Sequence, residues 1–310
     1  MVKEWGDKRY NSLNYYLRQK FGEKVFKIAL DAGFTCPNRD GKISRGGCIF
    51  CSERGSGDFA GKNADIVKQF YEVKEVMNKK WKEGKYIGYF QAYTNTYAPV
   101  EVLREKYESI LSIDDVVGIA IGTRPDCLPD DILDLLSELN EKTFLWVELG
   151  LQTANDEKGK ILNRGYDSKD YINAVKKLKE RGIPVVSHII LGLPSENRED
   201  MLKTVEFVAE TGTWGIKLHL LYLMKGTPMV KLYNEGKLKF LEMDEYVDLV
   251  VDSIERIPKN MVVHRLTGDS PRNLLIGPMW SLKKWEVLNA INKRFIERDT
   301  YQGKMRMRDR

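Results

Sequence analysis

Apolar runs and amphipathic stretches alternate along this chain about six times. The apolar runs have the length of strands and are mostly continuous, as is typical of strands buried on both faces in a parallel sheet. They occupy residues 24–30, 86–92, 116–121, 144–151, 184–191 and 214–221, with 261–266 as a candidate seventh run. Amphipathic stretches separate them, such as 63–83, where Asn63 is a candidate helix cap and Ile66, Phe70 and Met77 share one stripe. The pattern therefore predicts repeated β/α units.

This alternation predicts an α/β fold, a partial (β/α)6 TIM-like barrel with N-terminal and C-terminal helical extensions. No Ser/Gly-rich linker interrupts the chain, so residues 1–310 are predicted to form a single domain. Its barrel core spans about 24–266, a short helix over 9–22 precedes the first strand, and a basic helix and tail over 281–310 follow the core. In such barrels the functional site lies at the C-terminal ends of the strands.

A cysteine-rich segment, 31–58, directly follows the first predicted strand. Cys48 and Cys51 form a C-x-x-C pair, and Cys36 lies eleven intervening residues before Cys48. Glycines within the segment indicate a loop, which lets three thiolates converge on one centre. Two kinds of site compete here. A structural zinc would need a fourth ligand, whereas an iron–sulfur cluster held by three cysteines would leave one iron open. The candidate fourth zinc ligands are Cys127, His188, His219 and His264.

Polar side chains occur at or near the end of every later strand. They are Gln91, Tyr93, Thr94 and Tyr97 on the second, Arg124 and Asp126 on the third, Glu148 and Gln152 on the fourth, His188 on the fifth, and Lys217 and His219 on the sixth. A charged or amide group inside an apolar strand is costly unless it is paired or used. Their shared position on one predicted rim favours a cofactor pocket over a structural zinc.

Composition and charge exclude several classes of protein. The hydrophobic fraction of 42% supports a core, and no apolar run is long enough to cross a bilayer. Without a targeting segment, we expect a cytoplasmic protein with reduced thiols. The net charge is +5, and residues 283–310 hold nine Lys or Arg and four acids, which accounts for all of it. This basic end is either a nucleic-acid footprint or a solvated helix with a frayed tail.

The cluster motif carries a resemblance to a known superfamily. The sequence Cys48-Ile-Phe50-Cys51 resembles the second half of the C-x-x-x-C-x-aromatic-C motif of radical S-adenosylmethionine (SAM) enzymes, although its first spacing is longer. That longer spacing resembles the catalytic subunit of the elongator complex. Together with Thr123-Arg-Pro-Asp126, Glu148-Leu-Gly-Leu-Gln152 and Gly226-Thr-Pro228, it makes the chain similar to the bacterial YhcC/YtqA (MnmL) family.

The resemblance implies two cofactors and a set of contacts. Cys36, Cys48 and Cys51 would ligate a [4Fe–4S] cluster, with Phe50 in the motif between the last two. The open iron would chelate SAM, and one electron would cleave SAM to a 5′-deoxyadenosyl radical. Arg164 matches a carboxylate-binding arginine of related enzymes. Gln152 and His188 would contact the ribose and adenosine part of SAM, Gly192 would contact the adenine, and Glu148 is a further cofactor candidate in its strand-end motif. The usual Gly-Gly-Glu motif that binds the amino group of SAM is absent here. Gln91 or Thr94 would take its place.

The resemblance also implies a substrate. The family and its elongator relatives suggest work on tRNA, at the side chain on carbon 5 of the wobble uridine, with an electron donor such as a flavodoxin or ferredoxin and no membrane. The remaining candidates for substrate contacts are Tyr93, Tyr97, Arg124, Asp126, Lys217, His219, His264 and Arg265. A radical SAM enzyme acting on a small molecule and a zinc-stabilised RNA-binding protein without catalysis stay open as alternatives.

Overall fold

The computed structural model describes residues 4–62, 64–79, 81, 84–268 and 270–306. The strands are β1 (Val25–Leu30), β2 (Lys85–Phe90), β3 (Val116–Thr123), β4 (Phe144–Gln152), β5 (Val185–Leu191), β6 (Gly215–Leu220), β7 (Leu223–Met224), β8 (Val262–Arg265) and β9 (Leu275–Gly277). Seven of them form one sheet in the order β1-β2-β3-β4-β5-β6-β8, which confirms the repeated β/α pattern with 261–266 supplying the seventh strand. The pairs β1–β2, β2–β3, β3–β4 and β6–β8 are all parallel.

Helices follow or precede these strands in nearly the predicted places. They are α1 (Leu13–Phe21), α2 (Ile66–Asn78), α3 (Val100–Leu111), α4 (Asp130–Lys142), α5 (Asp156–Ile161), α6 (Ser168–Glu180), α7 (Arg198–Thr211), α8 (Val230–Asn234), α9 (Met243–Arg256) and α10 (Lys284–Glu297). A 3-10 turn, Met279–Leu282, precedes the last of them. The terminal helices α1 and α10 are the predicted extensions.

The start of α2 corrects one prediction. The helix begins at Ile66 because the side chain of Asp65 accepts hydrogen bonds from the backbone N–H groups of Val67 and Lys68. Asn63, the predicted cap, lies outside the described residues. The helix also ends at Asn78, earlier than the predicted residue 83.

Two compact units divide the chain. One contains residues 17–150 and 164–186, and the other contains 1–16, 151–163 and 187–310. The first holds β1–β4 with the cysteine segment, and we call it the cysteine unit. The second holds β6 and β8, and we call it the histidine unit because its strands carry His219 and His264. A single domain stays a prediction.

Within the cysteine unit, the helices cover one face of the strands. Phe90 packs edge-on against Tyr107 of α3, with ring centroids 4.9 Å apart, and a Cβ on Gly88 would meet Ile110 of the same helix at 2.5 Å. Because side chains alternate along a strand, Tyr89 faces away from α3. We call this opposite side the inner face.

In the histidine unit, α10 packs on α9 through charged side chains. Arg294 contacts Asp248, and Arg298 contacts Asp248 and also Asp252 at 2.7 Å. Within α10 itself, Lys293 pairs with Glu297 at 3.5 Å. Much of the described basic charge near the C-terminus therefore neutralises acids of its own unit. Arg308 and Arg310 lie outside the described residues.

Candidate functional site

The cysteine segment forms an ordered loop with its own hydrogen bonds. The N–H groups of Arg39 and Asp40 donate to the carbonyl of Cys36 at 2.8 and 3.1 Å, and the N–H of Cys51 donates to the carbonyl of Cys48 at 3.0 Å. Gly46 and Gly47 both adopt positive φ, at 85° and 80°, which is a conformation that suits glycine. These turns fold the chain back, so that Cys36 and the Cys48–Cys51 pair lie in the same part of the loop.

The three thiols influence one another directly. A hydrogen bond from Cys48 lowers the pKa of Cys51 to about 7, and the charge of Arg39 and a hydrogen bond with Ser56 act in the same direction. That same hydrogen bond, followed by burial, raises the pKa of Cys48, and the nearby charge of Cys36 adds to this effect. All three thiols are half-buried. The loop thus presents a thiol-rich centre that is partly ionised near neutral pH, with Phe50, also half-buried, beside it.

The fourth cysteine behaves differently. Cys127 is buried, and burial followed by the charge of Asp126 raises its pKa to about 12. Its thiol lies 3.8 Å from a carboxylate oxygen of Asp126. These properties are those of a small buried residue and not of a ready metal ligand.

Arg39 holds the end of the loop in place. Its guanidinium donates to the carbonyls of Cys51, Ser52 and Glu53, and it lies over the ring of Tyr93 at 5.5 Å. The hydroxyl of Tyr93 donates to the carbonyl of Glu53, and the side-chain amide of Gln91 donates to the carbonyl of Ser56 at 2.8 Å. Two side chains predicted to contact SAM or substrate therefore contact the loop.

Two other predicted residues lie near the same loop. Thr94 is buried, and its N–H donates to the carbonyl of Thr35 at 3.2 Å, one residue before Cys36. Tyr97 lies under the ammonium of Lys42, which is 5.3 Å from its ring centroid. The cysteine segment is thereby held against the residues that follow β2.

A cationic layer lies beside the cysteines. The guanidinium groups of Arg124 and Arg164 lie 4.7 and 4.9 Å from the ring centroid of Tyr166. Arg124 binds Asp126 through two hydrogen bonds of 2.9 and 2.7 Å and donates to the carbonyl of Arg164 at 2.9 Å. The positive charge of Arg124 lowers the pKa of Cys48 and so opposes the hydrogen bond with Cys51 and the burial, which raise it.

Arg164 itself is fully buried, and its Nε–H donates to the carbonyl of Tyr166 at 2.9 Å. Between them, Gly165 has a φ of 79°, and a Cβ there would lie 2.8 Å from the side-chain oxygen of Asn38 in the loop. The loop therefore packs closely on the segment that carries Arg164.

Glu148 lies on β4 and is 1% exposed. Its Oε1 accepts a hydrogen bond from the indole N–H of Trp146 at 2.9 Å, and the same oxygen lies 3.8 Å from the ammonium of Lys27 on β1. Glu148 is among the residues predicted from the sequence, whereas Lys27 was missed. The signal was a charged residue inside an apolar strand, the same signal that drew attention to Lys217.

Three of the predicted cofactor residues belong to the histidine unit. Gln152 ends β4 with a φ of 62°, His188 lies on β5, and Gly192 follows that strand with a φ of 91°. The N–H of Gly192 points to the sulfur of Met201 at 3.0 Å. His188 stacks obliquely on His219 of β6, with ring centroids 5.0 Å apart, so these two predicted residues are brought together.

The remaining predicted residues of the histidine unit lie on β6 and β8. Lys217 is 2% exposed, and its register partner on β8 is Arg265. His264 contacts Trp214 edge-on, with ring centroids 4.9 Å apart. The structure therefore places Lys217 and Arg265 side by side, whereas His264 packs against an aromatic ring.

Glu196 is a functional candidate that we did not anticipate. It follows β5 in Leu191-Gly-Leu-Pro-Ser-Glu196, and burial raises the pKa of its carboxyl to about 7. The charge of Asp200 adds to this effect, whereas a hydrogen bond with Thr153 and the charge of Lys158 oppose it. The sequence signal that could have identified Glu196 is a carboxylate a few residues after the end of a strand, because the other strand ends of this chain also carry polar groups.

This shifted carboxyl predicts a pH dependence of stability. The folded protein holds the proton up to about pH 7, whereas the unfolded chain releases it near the ordinary pKa of 4.5. Glu196 therefore destabilises the fold progressively as pH rises from about 4.5 to 7, by up to about 3 kcal/mol. Glu196→Gln is expected to match the wild type at pH 4.5 and to be more stable at pH 8 in urea unfolding. Glu199 lies on the exposed part of α7, so Glu199→Gln should show no such gain in stability at pH 8. An equal gain in both variants would contradict the assignment of the raised pKa to Glu196.

Two absences hold for the residues that the structure describes. Within the described ranges, no group of three or more His, Cys, Asp or Glu side chains is arranged to hold a metal ion, and this holds for the loop cysteines too. In the same part of the chain, every helix falls short of the length and hydrophobicity needed to span a membrane.

Two family profiles match the chain. The Radical SAM superfamily profile matches residues 36–208, and the Radical_SAM C-terminal domain profile matches residues 213–297. The first match contains the whole cysteine motif and the segment of Arg164. The second contains the last strands of the barrel, β6 and β8, and most of the C-terminal extension.

Two relatives are similar to this chain along most of their length, and a third is similar over a part of its length. Uncharacterized protein YtqA of Bacillus subtilis is 61% identical over 96% of this chain and 93% of its own. Protein YhcC of Escherichia coli is 39% identical over 93% of this chain and 92% of its own. Elongator complex protein 3 of Schizosaccharomyces pombe is 28% identical, over 51% of this chain and only 29% of its own.

Among solved structures, the archaeal Elp3 of Methanocaldococcus infernus has the same fold. It aligns with a TM-score of 0.67 and 17% identity, covering 90% of this chain and 64% of that one. SuiB of Streptococcus suis, solved with bound S-adenosylmethionine, aligns with a TM-score of 0.51 and 14% identity over 83% of this chain. These alignments confirm the predicted partial barrel of radical SAM type.

Proposed function

Because the chain belongs to the radical SAM superfamily and, within it, to the family of YtqA and YhcC, we propose that it is a tRNA-modifying enzyme. It would bind a [4Fe–4S] cluster and SAM and remodel the C5 substituent of the wobble uridine, such as a carboxymethylaminomethyl group. The observation that carries this proposal is the loop of Cys36, Cys48 and Cys51, in which the three thiols interact with one another.

The donor set fits the cluster. Three thiols from one loop match the ligand count of a cluster that keeps one iron open, and Cys51 is partly ionised near neutral pH. Arg39 and Arg124 supply positive charge beside these thiols, which suits ligands that become thiolates. When bound there, the cluster supplies the electron that cleaves SAM to a 5′-deoxyadenosyl radical.

The chain's own residues would then hold SAM. Arg164 is a buried guanidinium next to the cysteine loop, and such a group is suited to a carboxylate. Gln152, His188 and Gly192 stay proposed contacts of the nucleoside part, and Thr94 stays a candidate for the amino group. Gln91 and Tyr93 would act through the loop that they hold.

The proposed tRNA substrate is supported mainly by similarity to Elongator complex protein 3 over half of this chain. The basic C-terminal helix adds little, because its described arginines pair with Asp248 and Asp252. The proposal also implies a cytoplasmic location and a small electron donor such as a flavodoxin or ferredoxin.

The test is an anaerobic reconstitution with iron and sulfide, followed by SAM, dithionite and tRNA bearing the carboxymethylaminomethyl group. We expect about four irons per chain, 5′-deoxyadenosine, and a change of mass confined to the wobble nucleoside. One zinc per chain without sulfide would overturn the radical SAM function. Formation of 5′-deoxyadenosine with no change in any tRNA would overturn the substrate alone.

A further inference from the structure

Two segments of the histidine unit, residues 223–241 and 270–285, pack together as a small lobe. Strand β7 of the first segment pairs antiparallel with strand β9 of the second. A Cβ on Gly277 would lie 2.5 Å from the ring of Phe240, so the end of the first segment is packed closely on β9. We call these two segments the β7–β9 lobe.

The β7–β9 lobe is strongly basic. It holds seven Lys or Arg and one acid, Glu235, so its net charge of +6 exceeds the +5 of the whole chain. All seven cations are exposed; they are Lys225, Lys231, Lys237, Lys239, Arg272, Lys283 and Lys284. Counting the two acids that directly flank the lobe, Glu242 and Glu286, still leaves a net charge of +4. The positive charge of the protein is therefore concentrated here.

Only part of this charge is neutralised within the lobe. The carboxylate of Glu235 lies 4.0 and 2.8 Å from the ammonium groups of Lys231 and Lys237. Three cations have no carboxylate partner among the residues that the structure describes, and these are Lys225, Lys239 and Arg272. Exposed cations that are not neutralised attract a polyanion, and phosphate groups of a nucleic acid are the usual case.

Large apolar side chains are exposed among these cations. Trp285 is 72% exposed and Met279 is 58% exposed, although surfaces of this size are usually covered. Trp285 directly follows Lys283 and Lys284, and Lys283 pairs with Glu286 at 3.1 Å. An exposed indole beside cations is suited to stacking on an unpaired base. Charge and aromatic exposure together favour an RNA with unpaired bases over a purely acidic protein.

The lobe adjoins the strand ends of its own unit. A Cβ on Gly192, which follows β5, would lie 3.3 Å from the side chain of Leu241, the last residue of the first segment. It would also lie 3.7 Å from Leu221, which follows β6. In barrels of this kind the site lies at this edge of the sheet. A ligand on the lobe would therefore lie close to the strand ends.

We propose that the β7–β9 lobe is the surface that binds the RNA substrate, an inference that rests on the proposed function. Lys225, Lys239 and Arg272 contact phosphate groups. Trp285 stacks on an unpaired base of the RNA loop. The lobe, and not the C-terminal end as a whole, supplies the electrostatic affinity, because arginines of α10 pair with acids of α9.

The first test measures the binding of an anticodon stem-loop RNA to the full-length reconstituted protein at several salt concentrations. The triple variant Lys225→Gln/Lys239→Gln/Arg272→Gln is expected to bind about tenfold more weakly or worse at low salt. The slope of log K against log salt concentration should become shallower by about 2 to 3, because each phosphate contact contributes about 0.7 to 0.9. The unfolding midpoint should stay unchanged, since all three side chains are exposed.

The variant Lys203→Gln/Lys293→Gln/Arg306→Gln is the matched control. It also removes two lysines and one arginine, which are exposed in the same unit but lie outside the lobe. It should keep the affinity and the salt dependence of the wild type. If both triple variants weaken binding equally, the net charge alone explains the binding and the inference is overturned.

The second test concerns the stacking contact. Trp285→Ala is expected to weaken binding of the stem-loop RNA by about tenfold and to leave binding of a blunt RNA duplex of equal length nearly unchanged. Ile296→Ala is the control, because Ile296 lies on the same helix, α10, and is 64% exposed. It should bind both RNAs like the wild type. A loss that is equal for both RNAs, or equal in both variants, would overturn the stacking contact.

The outcomes separate this inference from the proposed function. A wild type that modifies tRNA while the lobe variants bind RNA normally overturns the inference and leaves the proposed function intact. RNA that binds through the lobe without any change of its nucleosides supports the inference and overturns the proposed modification. Lobe variants that bind RNA normally but are no longer reduced by an acidic flavodoxin would show that the lobe binds a protein, which also overturns the inference.

Discussion

Replacing Cys48 with alanine is expected to leave the reconstituted protein without its iron–sulfur cluster and to reduce 5′-deoxyadenosine formation below about 1% of the wild-type rate. Changes in the outer shell of a metal site alone typically cost 10–100-fold, and this change removes a ligand. It also removes the hydrogen bond that lowers the pKa of Cys51. Cys36→Ala and Cys51→Ala should behave alike. Iron and sulfide analysis together with the visible spectrum of the anaerobic protein will check this.

Cys127→Ala is the matched control for that series. Its thiol is buried, and burial and Asp126 raise its pKa to about 12, so it behaves as a small apolar residue beside the site. We expect full iron content and nearly full SAM cleavage, with only a small loss of stability. A Cys127→Ala protein that loses iron, or a Cys48→Ala protein that keeps it, would mean that the cluster ligands are assigned wrongly.

Arg164→Lys is expected to weaken SAM binding by about tenfold to a hundredfold, because a hydrogen bond to a charged group contributes about 1.5–3 kcal/mol. Lysine keeps the charge but lacks the planar fork that binds a carboxylate at two points. It also lacks the Nε–H that donates to the carbonyl of Tyr166 at 2.9 Å. Equilibrium dialysis with SAM on the reconstituted protein measures the effect.

The same substitution could act through the fold alone, since Arg164 is fully buried and lies over Tyr166. The unfolding midpoint therefore has to be measured beside the affinity. Loss of affinity with a nearly unchanged midpoint supports a SAM contact, whereas a lower midpoint with unchanged affinity refutes it. Arg181→Lys, which pairs with Asp134 at the surface of the same unit, should change neither quantity.

The elements that the sequence predicted best are those with long periodic patterns. Helices α7 and α9 can be recognised from the sequence, since each carries about four turns of amphipathic sequence. The two-residue strand β7 and the three-residue strand β9 were missed because such short segments carry no periodicity.

The site shows a different limit of sequence reasoning. The cysteines were identified from their spacing, but the role of Arg39 depends on carbonyl groups of Cys51, Ser52 and Glu53, which a sequence does not display. Lys27 was detectable as a charge within an apolar strand. Its contact with Glu148 was not predictable, because that contact depends on how strongly the strands curve.

The internal hydrogen bonds of the cysteine loop have a consequence for the oxidation of its thiols. An isolated bridge joins Asp40 to Arg45, and the N–H of Gly47 donates to the carbonyl of Asn38 at 2.8 Å, so the loop's shape is built from its own backbone. This shape places Cys48 and Cys51 in direct contact, as a pair of neighbouring thiols that an oxidant can join in a disulfide. We therefore expect this pair to be oxidised by air more readily than the buried Cys127.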